Sequence, residues 1–346
     1  MTRFLFSTLL ALLPFFAVQA VEVDVYSGEV AVSGQSAGER RQALPAALES
    51  ALQKLTGLRS FDDHPQVEPA LGVASSIRVS FHYRNAERLL PDGATQEELR
   101  LVASFAASEV DELVKQLQLP LWPADRKPTE VWLVVDNGMN RRIMPVEFEY
   151  VKDSMNDAAA GRGMPLTWPQ ADEEGQYLVD MQLLWGGYTE DLASPNGDGV
   201  MILSARREGL EWSVRSNLGF EGDNWAWRIR DVDLQAALTE AMQLAADQVA
   251  AVKSIAATDL GAWRYELTVN GLGNALDYER FLAYLQDIEV VERIAVVAAR
   301  PGTVTFRQEL NALPRYLEEA LASGSVLEPD EKQDQYLFTG GARRGG

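Results

Sequence analysis

Gly34-Gln35-Ser36-Ala37-Gly38 is a Gly-x-Ser-x-Gly string set between a strand-like and a helix-like run. That is the setting in which a sharp turn presents a nucleophilic serine. A serine hydrolase also needs a histidine base and an acid to orient it. Only His64 and His82 are present, and the order Ser36, Asp62 or Asp63, His82 can be written as a triad. Two features weigh against that chemistry. An elbow serine follows several βα units on a central strand of a large sheet, whereas Ser36 lies in the first supersecondary element. In addition, Ser36-Ala37-Gly38-Glu39 is a capping box, in which the serine hydroxyl accepts from the Glu39 amide and the Glu39 carboxylate reaches back to the Ser36 amide. Ser36 and Glu39 are therefore expected to be a structural cap, and no catalytic residue is assigned.

Other residue sets are weaker still. Asp62-Asp63-His64 could be read as a metal clip, but adjacent side chains rarely converge on one ion, and zinc asks for three or four ligands at helical or hairpin spacing. Ser194 to Gly199, Ser-Pro-Asn-Gly-Asp-Gly, is turn chemistry without the calcium-loop pattern. Asp136 and Asp180 sit in apolar runs read as strands and could form a carboxylate pair, though strand ends explain single aspartates as well. Gly271-Leu272-Gly273 lacks the third glycine and the following acid of a dinucleotide site. No metal and no cofactor are expected. The one exposed candidate is Gly222 to Asp231, Gly-Asp-Asn-Trp-Ala-Trp-Arg-Ile-Arg-Asp. Extended, it puts Trp225 and Trp227 on one face and Arg228 and Arg230 on the other. Tryptophan and arginine are favoured at interfaces and stack on glycans. The bland alternative is that both indoles close the core beneath them.

The elements that must position these residues follow from the pattern of the chain. Met1-Thr2-Arg3, an apolar run to Val18, and Val18-Gln19-Ala20 read as a secretory signal peptide cleaved after Ala20. No later stretch is long and apolar enough for a transmembrane helix. Without cysteine there is neither a disulfide nor a lipidated anchor. A net charge of −20 argues against nucleic acid and anionic lipid as partners. The fold class expected is α+β or α/β, in three small mixed domains. Residues 21–125 read as a β-hairpin around Ser27-Gly28 followed by α, β, β, α, with Pro45 as a discord in the first helix. Pro120, Pro123 and Pro128 mark a linker. Residues 128–257 read as an α/β domain with strands at Glu130–Asp136 and in Tyr-Leu-Val-Asp-Met-Gln-Leu-Leu-Trp-Gly-Gly (177–187), and a long C-terminal helix. Residues 262–338 read β-α-β-β-α-β, a ferredoxin-like order with one sheet face covered. The first domain has a similar order. Residues 339–346 are expected to be a flexible tail.

A resemblance rests on Ala-Leu-Gln-Lys-Leu-Thr-Gly-Leu-Arg-Ser (51–60), on Leu119 to Asp136, and on Leu267 to Val297. With the signal peptide, these make the chain resemble the exported Gram-negative family known as domain of unknown function 2066, most specifically at Leu121 to Leu133. The middle segment also resembles periplasmic envelope-assembly factors of curli secretion, sheathed-flagellum basal rings and peptidoglycan synthase activation. The resemblance implies location and fold more than chemistry. Together with the signal peptide and the lack of a complete catalytic set, it leads to the expectation of a soluble periplasmic, non-enzymatic interaction or assembly factor. Its partners would be periplasmic or outer-membrane-associated proteins, peptidoglycan-related ones among them. The rival reading is an exported hydrolase or glycan-binding protein.

Overall fold

The computed structural model describes residues 23–89, 94–172, 175–192, 199–324, 326–330 and 334–340. The signal peptide expected at 1–20, most of the turn at 194–199 and all but the first residues of the tail lie outside them. The described chain mixes helices and strands in three sheets, an α+β fold.

The first sheet is built from β1 (Ser27–Ala31), α1 (Ala37–Thr56), the short α2 (Val67–Ala70) and α3 (Ala74–Ile77), β2 (Arg78–Leu89), β3 (Thr95–Phe105) and α4 (Ala107–Gln116). Strand order is β1-β3-β2, all antiparallel. Ser27 and Gly28 do not turn a hairpin as expected. They open β1 and pair with Ser104 and Ala103. Gly28 is there for contact, since a Cβ at this position would run into the Ala47 carbonyl of α1. Helix α1 also runs on through Pro45, from Ser36 as N-cap to Gly57 as C-cap. Its face of Leu44, Leu48, Ala51, Leu52 and Leu55 is fully buried, and that burial outweighs the hydrogen bond that proline removes.

The N-terminus of α1 is the capping box. Glu39 N donates to Ser36 Oγ at 3.2 Å, and Ser36 N donates to Glu39 Oε2 at 3.2 Å. Ser33 Oγ adds a bond to Glu39 Oε1 at 2.8 Å. These bonds, the Ser36 hydroxyl first, hold the Glu39 carboxyl below its ordinary range.

The second sheet comprises β4 (Thr129–Asp136), β5 (Arg141–Ile143), α5 (Tyr150–Gly161), β6 (Leu166–Thr167), α6 (Met181–Gly186), β7 (Gly199–Glu208), β8 (Glu211–Phe220), β9 (Asp223–Asp231) and α7 (Leu234–Lys253). Its order is β5-β4-β7-β8-β9, with β6 beside β4. β4 and β7 are parallel; β4 is buried except at Glu130 and Asp136, and β7 is buried from Gly199 to Ala205, as the apolar run at 130–136 predicts. α5 and α7 cover one face, where Met155, Leu203, Val214 and Met242 meet. The strand expected at 177–187 is instead the short helix α6. Asp180 Oδ1 accepts from Gln182 N at 2.7 Å and caps it, and Leu184 is its buried anchor on the other face of the sheet. A capped turn competes with the strand wherever an Asp precedes the apolar residues.

The third sheet has β10 (Leu260–Leu272), α8 (Ala275–Gln286), β11 (Val291–Arg300), β12 (Gly302–Ala312), α9 (Pro314–Ser323), β13 (Leu327–Pro329) and β14 (Gln335–Phe338). The order β11-β12-β10-β14-β13 is the expected one with a strand added. The β13/β14 hairpin reverses the chain once more, so β14 runs parallel to β10. One face packs Leu267, Phe306 and Leu310 against Phe281 and Leu317 of the helices. The other is polar, with Thr268 and Thr305 bonded at 2.9 Å and Glu266 bonded to Arg307 at 2.7 Å. In topology β1-α1-β2-β3-α4 repeats β10-α8-β11-β12-α9, β3 lying between β1 and β2 as β12 lies between β10 and β11.

Replacing Ser36 by Ala is expected to cost about 1 kcal/mol in chemical denaturation and to leave the fold intact. A variant as stable as wild type would remove the cap from the account of α1.

Candidate functional site

The stretch between the first two sheets was expected to be a linker because of its three prolines. It is a strap whose large apolar side chains are buried. Leu119, Leu121 and Trp122 are 0%, 4% and 2% exposed. Leu121 exchanges two backbone bonds with Ile255, at 2.9 and 2.7 Å, which fastens the strap to the segment that follows α7. Trp122 N donates to Leu55 O at the end of α1, at 2.7 Å. Through Leu119, Leu121 and Ile255 the apolar core of the first sheet continues into that of the third.

Arg126 ties the strap together. Its guanidinium lies 3.9 Å from the centre of the Trp122 ring. It donates to four carbonyls: Pro123 at 2.7 Å, Trp122 at 2.7 Å, Lys54 of α1 at 2.9 Å and Gly163 after α5 at 2.7 Å. Gly163 has φ +75°, and any Cβ there would occupy the space of the Arg126 guanidinium. Burial pulls the Arg126 pKa down to about 9, with Glu289 opposing, so the group is a cation at neutral pH. Glu289 reaches from the loop after α8 and accepts from the Ala124 amide. Burial raises its carboxyl pKa.

More ionisable groups close the same joint. Tyr26 donates to Asp111 at 3.0 Å, and burial raises both pKa values. Lys54 Nζ donates to Ser27 O at 2.9 Å, and burial lowers its pKa. A second arginine, Arg162, is 3% exposed. It donates to Gly57 O at 2.6 Å, Asp247 Oδ1 at 2.6 Å and Gln243 Oε1 at 2.8 Å. Arg59 forms a two-pronged pair with Glu240 of α7 at 2.9 and 2.6 Å. The first sheet's helix end is thus bound to the middle helices by arginines.

The strap is also the floor of a cleft of about 730 Å³. One wall is the end of β8 and of α7, with Phe220, Val249 and Val252. The other is the helical side of the third sheet, with Tyr284, Ile288 and Tyr316. Charges stand around it: Arg126, Lys127 and Lys253 against Asp125, Glu221, Asp287, Glu289 and Glu319. Lys253 is paired with Glu221 and lies 5.6 Å from the Phe220 ring. Among the described residues no serine or histidine lines it. Apolar walls with a few placed polar groups are the chemistry of a binding site.

The residues singled out from sequence do not gather in this cleft. Ser36 Oγ is engaged by the Glu39 amide, as expected for a cap rather than a nucleophile. His82 is exposed on β2, and Asp62-Asp63-His64 forms a turn in which His64 N donates to Phe61 O at 2.8 Å. No cluster of metal-ligand type occurs among the described residues. Asp136 and Asp180 are not a carboxylate pair. Asp136 meets Arg141 and Arg206 at 3.5 and 3.4 Å, whereas Asp180 caps α6. Trp225 and Trp227 share a face of β9 and pack, partly buried, against the core under α7. Arg228 and Arg230 are exposed on the opposite face. Sequence reasoning missed Arg126 and Glu289. The available signal was Leu-Pro-Leu-Trp, whose large apolar residues do not belong in a solvated linker.

A family model matches residues 20–123, Domain of unknown function (DUF8605). That is under a third of the chain, and the match ends within the strap. It overturns the expected membership of domain of unknown function 2066. The segments that carried that likeness lie largely beyond residue 123, and Leu121, Trp122 and Arg126 have a packing reason of their own. A comparison with curated proteins gives no match.

Two outcomes test the joint. Arg126→Ala leaves four carbonyls without their donor and is expected to cost about 3 kcal/mol or more of stability. A loss under about 1 kcal/mol would demote Arg126 to decoration. Glu289 has a raised carboxyl pKa, so its contribution to stability is complete below the ordinary carboxylate pKa and fades as pH rises through the raised one. Glu289→Gln keeps an acceptor for Ala124 but does not titrate. In urea titrations from about pH 4 to about pH 8, the advantage of wild type over this variant should shrink. An advantage that grows with pH would contradict the assignment.

Proposed function

We propose that this chain is an exported, periplasmic, non-enzymatic binding protein that holds another component of the cell envelope in the cleft above the strap. One observation carries the reading: the cleft's apolar walls come from two different sheets and its floor is the segment that fixes them. A groove of that kind is kept open by the rest of the fold and can bury an apolar side chain without first being formed. Its paired charges suit the polar groups flanking such a side chain. The division into domains at 21–125, 128–257 and 262–338 belongs to this reading, with the cleft between the second and third. The N-terminal Met1–Ala20 supports export. Among the described residues no helix is long and apolar enough to cross a membrane.

The partner class is a periplasmic or outer-membrane-associated protein, those acting on peptidoglycan included. A photo-reactive phenylalanine analogue at Val252, which is 38% exposed in the cleft, tests this against the same analogue at Val79, 69% exposed on β2. Irradiation of intact cells should give a discrete protein adduct from position 252 and none from 79. Equal labelling from both, or none from either, would contradict the cleft as the binding place. The purified protein from the same cells should begin at Val21, and an N-terminus at Met1 or Thr2 would contradict export by cleavage.

A further inference from the structure

The face of the middle sheet that points away from α5 and α7 carries five arginines in a chain of net charge −20. Their positions follow from the register. Across the sheet one row reads Arg141, Asp136, Arg206, Ser213, Arg230. The row two residues along reads Val134, Ser204, Arg215, Arg228. Side chains two apart on a strand share a face, so both rows lie together. The alternate positions, Ala205, Val214, Trp227 and Ile229, belong to the core on the other side.

Helix α6 borders this basic face and helps build it. The Trp185 ring lies 3.6 Å from the guanidinium of Arg141 and 5.2 Å from that of Arg206. The Trp185 carbonyl accepts from Arg215. Among the described residues two carboxylates reach the five arginines: Asp136, at 3.5 Å from Arg141 and 3.4 Å from Arg206, and Glu208, at 3.7 Å from Arg230. Three positive charges are therefore left over. Arg215 is held below its ordinary pKa by burial and by Arg228, Arg141 and Arg206 around it, the mark of cations crowded without enough anion. Polar atoms are waiting in the same place. Ser204, 4% exposed, buries its hydroxyl beside Arg215 with no partner, and Arg215 Nε has none either.

We infer that this arginine face, Arg206, Arg215 and Arg228 with Arg141 and Ser204, is a binding site for a phosphoryl group. Several anions are attracted to guanidinium, and stoichiometry chooses among them. A carboxylate offers one charge and one bidentate edge. A phosphomonoester carries about −1.5 to −2 at neutral pH and three acceptor oxygens. It can face guanidiniums arriving from β7, β8 and β9 together and offset most of the excess charge. Two linked phosphoryl groups would offset more of it. The rest of the chain, being acidic, disfavours a dense anionic surface, so the group is to be presented sparsely, on a soluble ligand or as an isolated headgroup. This site lies on the opposite face of the sheet from the cleft and does not rest on that reading.

Inorganic pyrophosphate titrated calorimetrically into the full chain at low ionic strength is the test. Saturable binding is expected. Arg206→Gln and Arg228→Gln should each weaken it about tenfold or more, with unchanged circular dichroism, because both side chains are exposed. Arg264→Gln, on the third sheet, should bind as wild type does. Citrate should bind more weakly than pyrophosphate. Sedimentation with phosphatidylcholine vesicles, with and without phosphatidic acid, separates the sources. Capture only by the phosphatidic acid vesicles assigns the phosphoryl group to a lipid headgroup, and pyrophosphate binding without capture assigns it to a soluble ligand. No saturable binding of either probe, equal affinity in the Arg206 and Arg228 variants, or citrate as tight as pyrophosphate would overturn the proposal.

Discussion

The guanidinium of Arg126, surrounded by four backbone carbonyls, is the constraint on which the arrangement of the three sheets depends. Its acceptors belong to the end of α1, to the strap itself and to the turn after α5. A cation this enclosed is tolerable only if its donors are used. The strap is thereby held in one conformation, with Trp122 under the guanidinium and the Ala124 amide turned toward Glu289 of the third sheet. Three prolines lower the entropy lost on ordering that path. What reads in one dimension as a flexible joint is in three dimensions the place where the sheets are fastened.

The middle sheet divides its work between its faces. One face is apolar and packs under α7, and it takes up the two indoles of β9. The other carries the arginines of β5, β7, β8 and β9 beside Trp185. The same alternation that hides Trp225 and Trp227 exposes Arg228 and Arg230, so a single extended segment serves the core and a charged surface at once. In an acidic chain such a surface is a local reversal of sign. The cleft is different in kind, apolar in its walls and charged at its margin.

Much of this was legible in the sequence, for identifiable reasons. Elements with a single dominant signal read correctly: the capping box at Ser36, the apolar run of β4, the 3.6-residue pattern of α7, the Pro-initiated α9. The elements that misled carried two signals. Ser27-Gly28 is turn chemistry, but the glycine answers to the approach of Ala47. Asp180 precedes an apolar run that looks like a strand, yet the aspartate caps a helix there. The strap has linker prolines and core residues together, and the prolines dominated. The cleft was not legible at all. Its walls, near positions 220, 250, 285 and 316, are distant in sequence, and only the packing of one sheet's helix end against another's helices brings them together.

Hydrogen exchange at the backbone amides of Leu121, Trp122 and Ala124 tests the fastening most directly. If the strap is the joint, these three amides exchange only when the core opens, as slowly as those of Leu133 in β4 and Leu203 in β7. Exchange at the rate of an open chain segment, with β4 and β7 still protected, would return the strap to the status of a linker and separate the sheets.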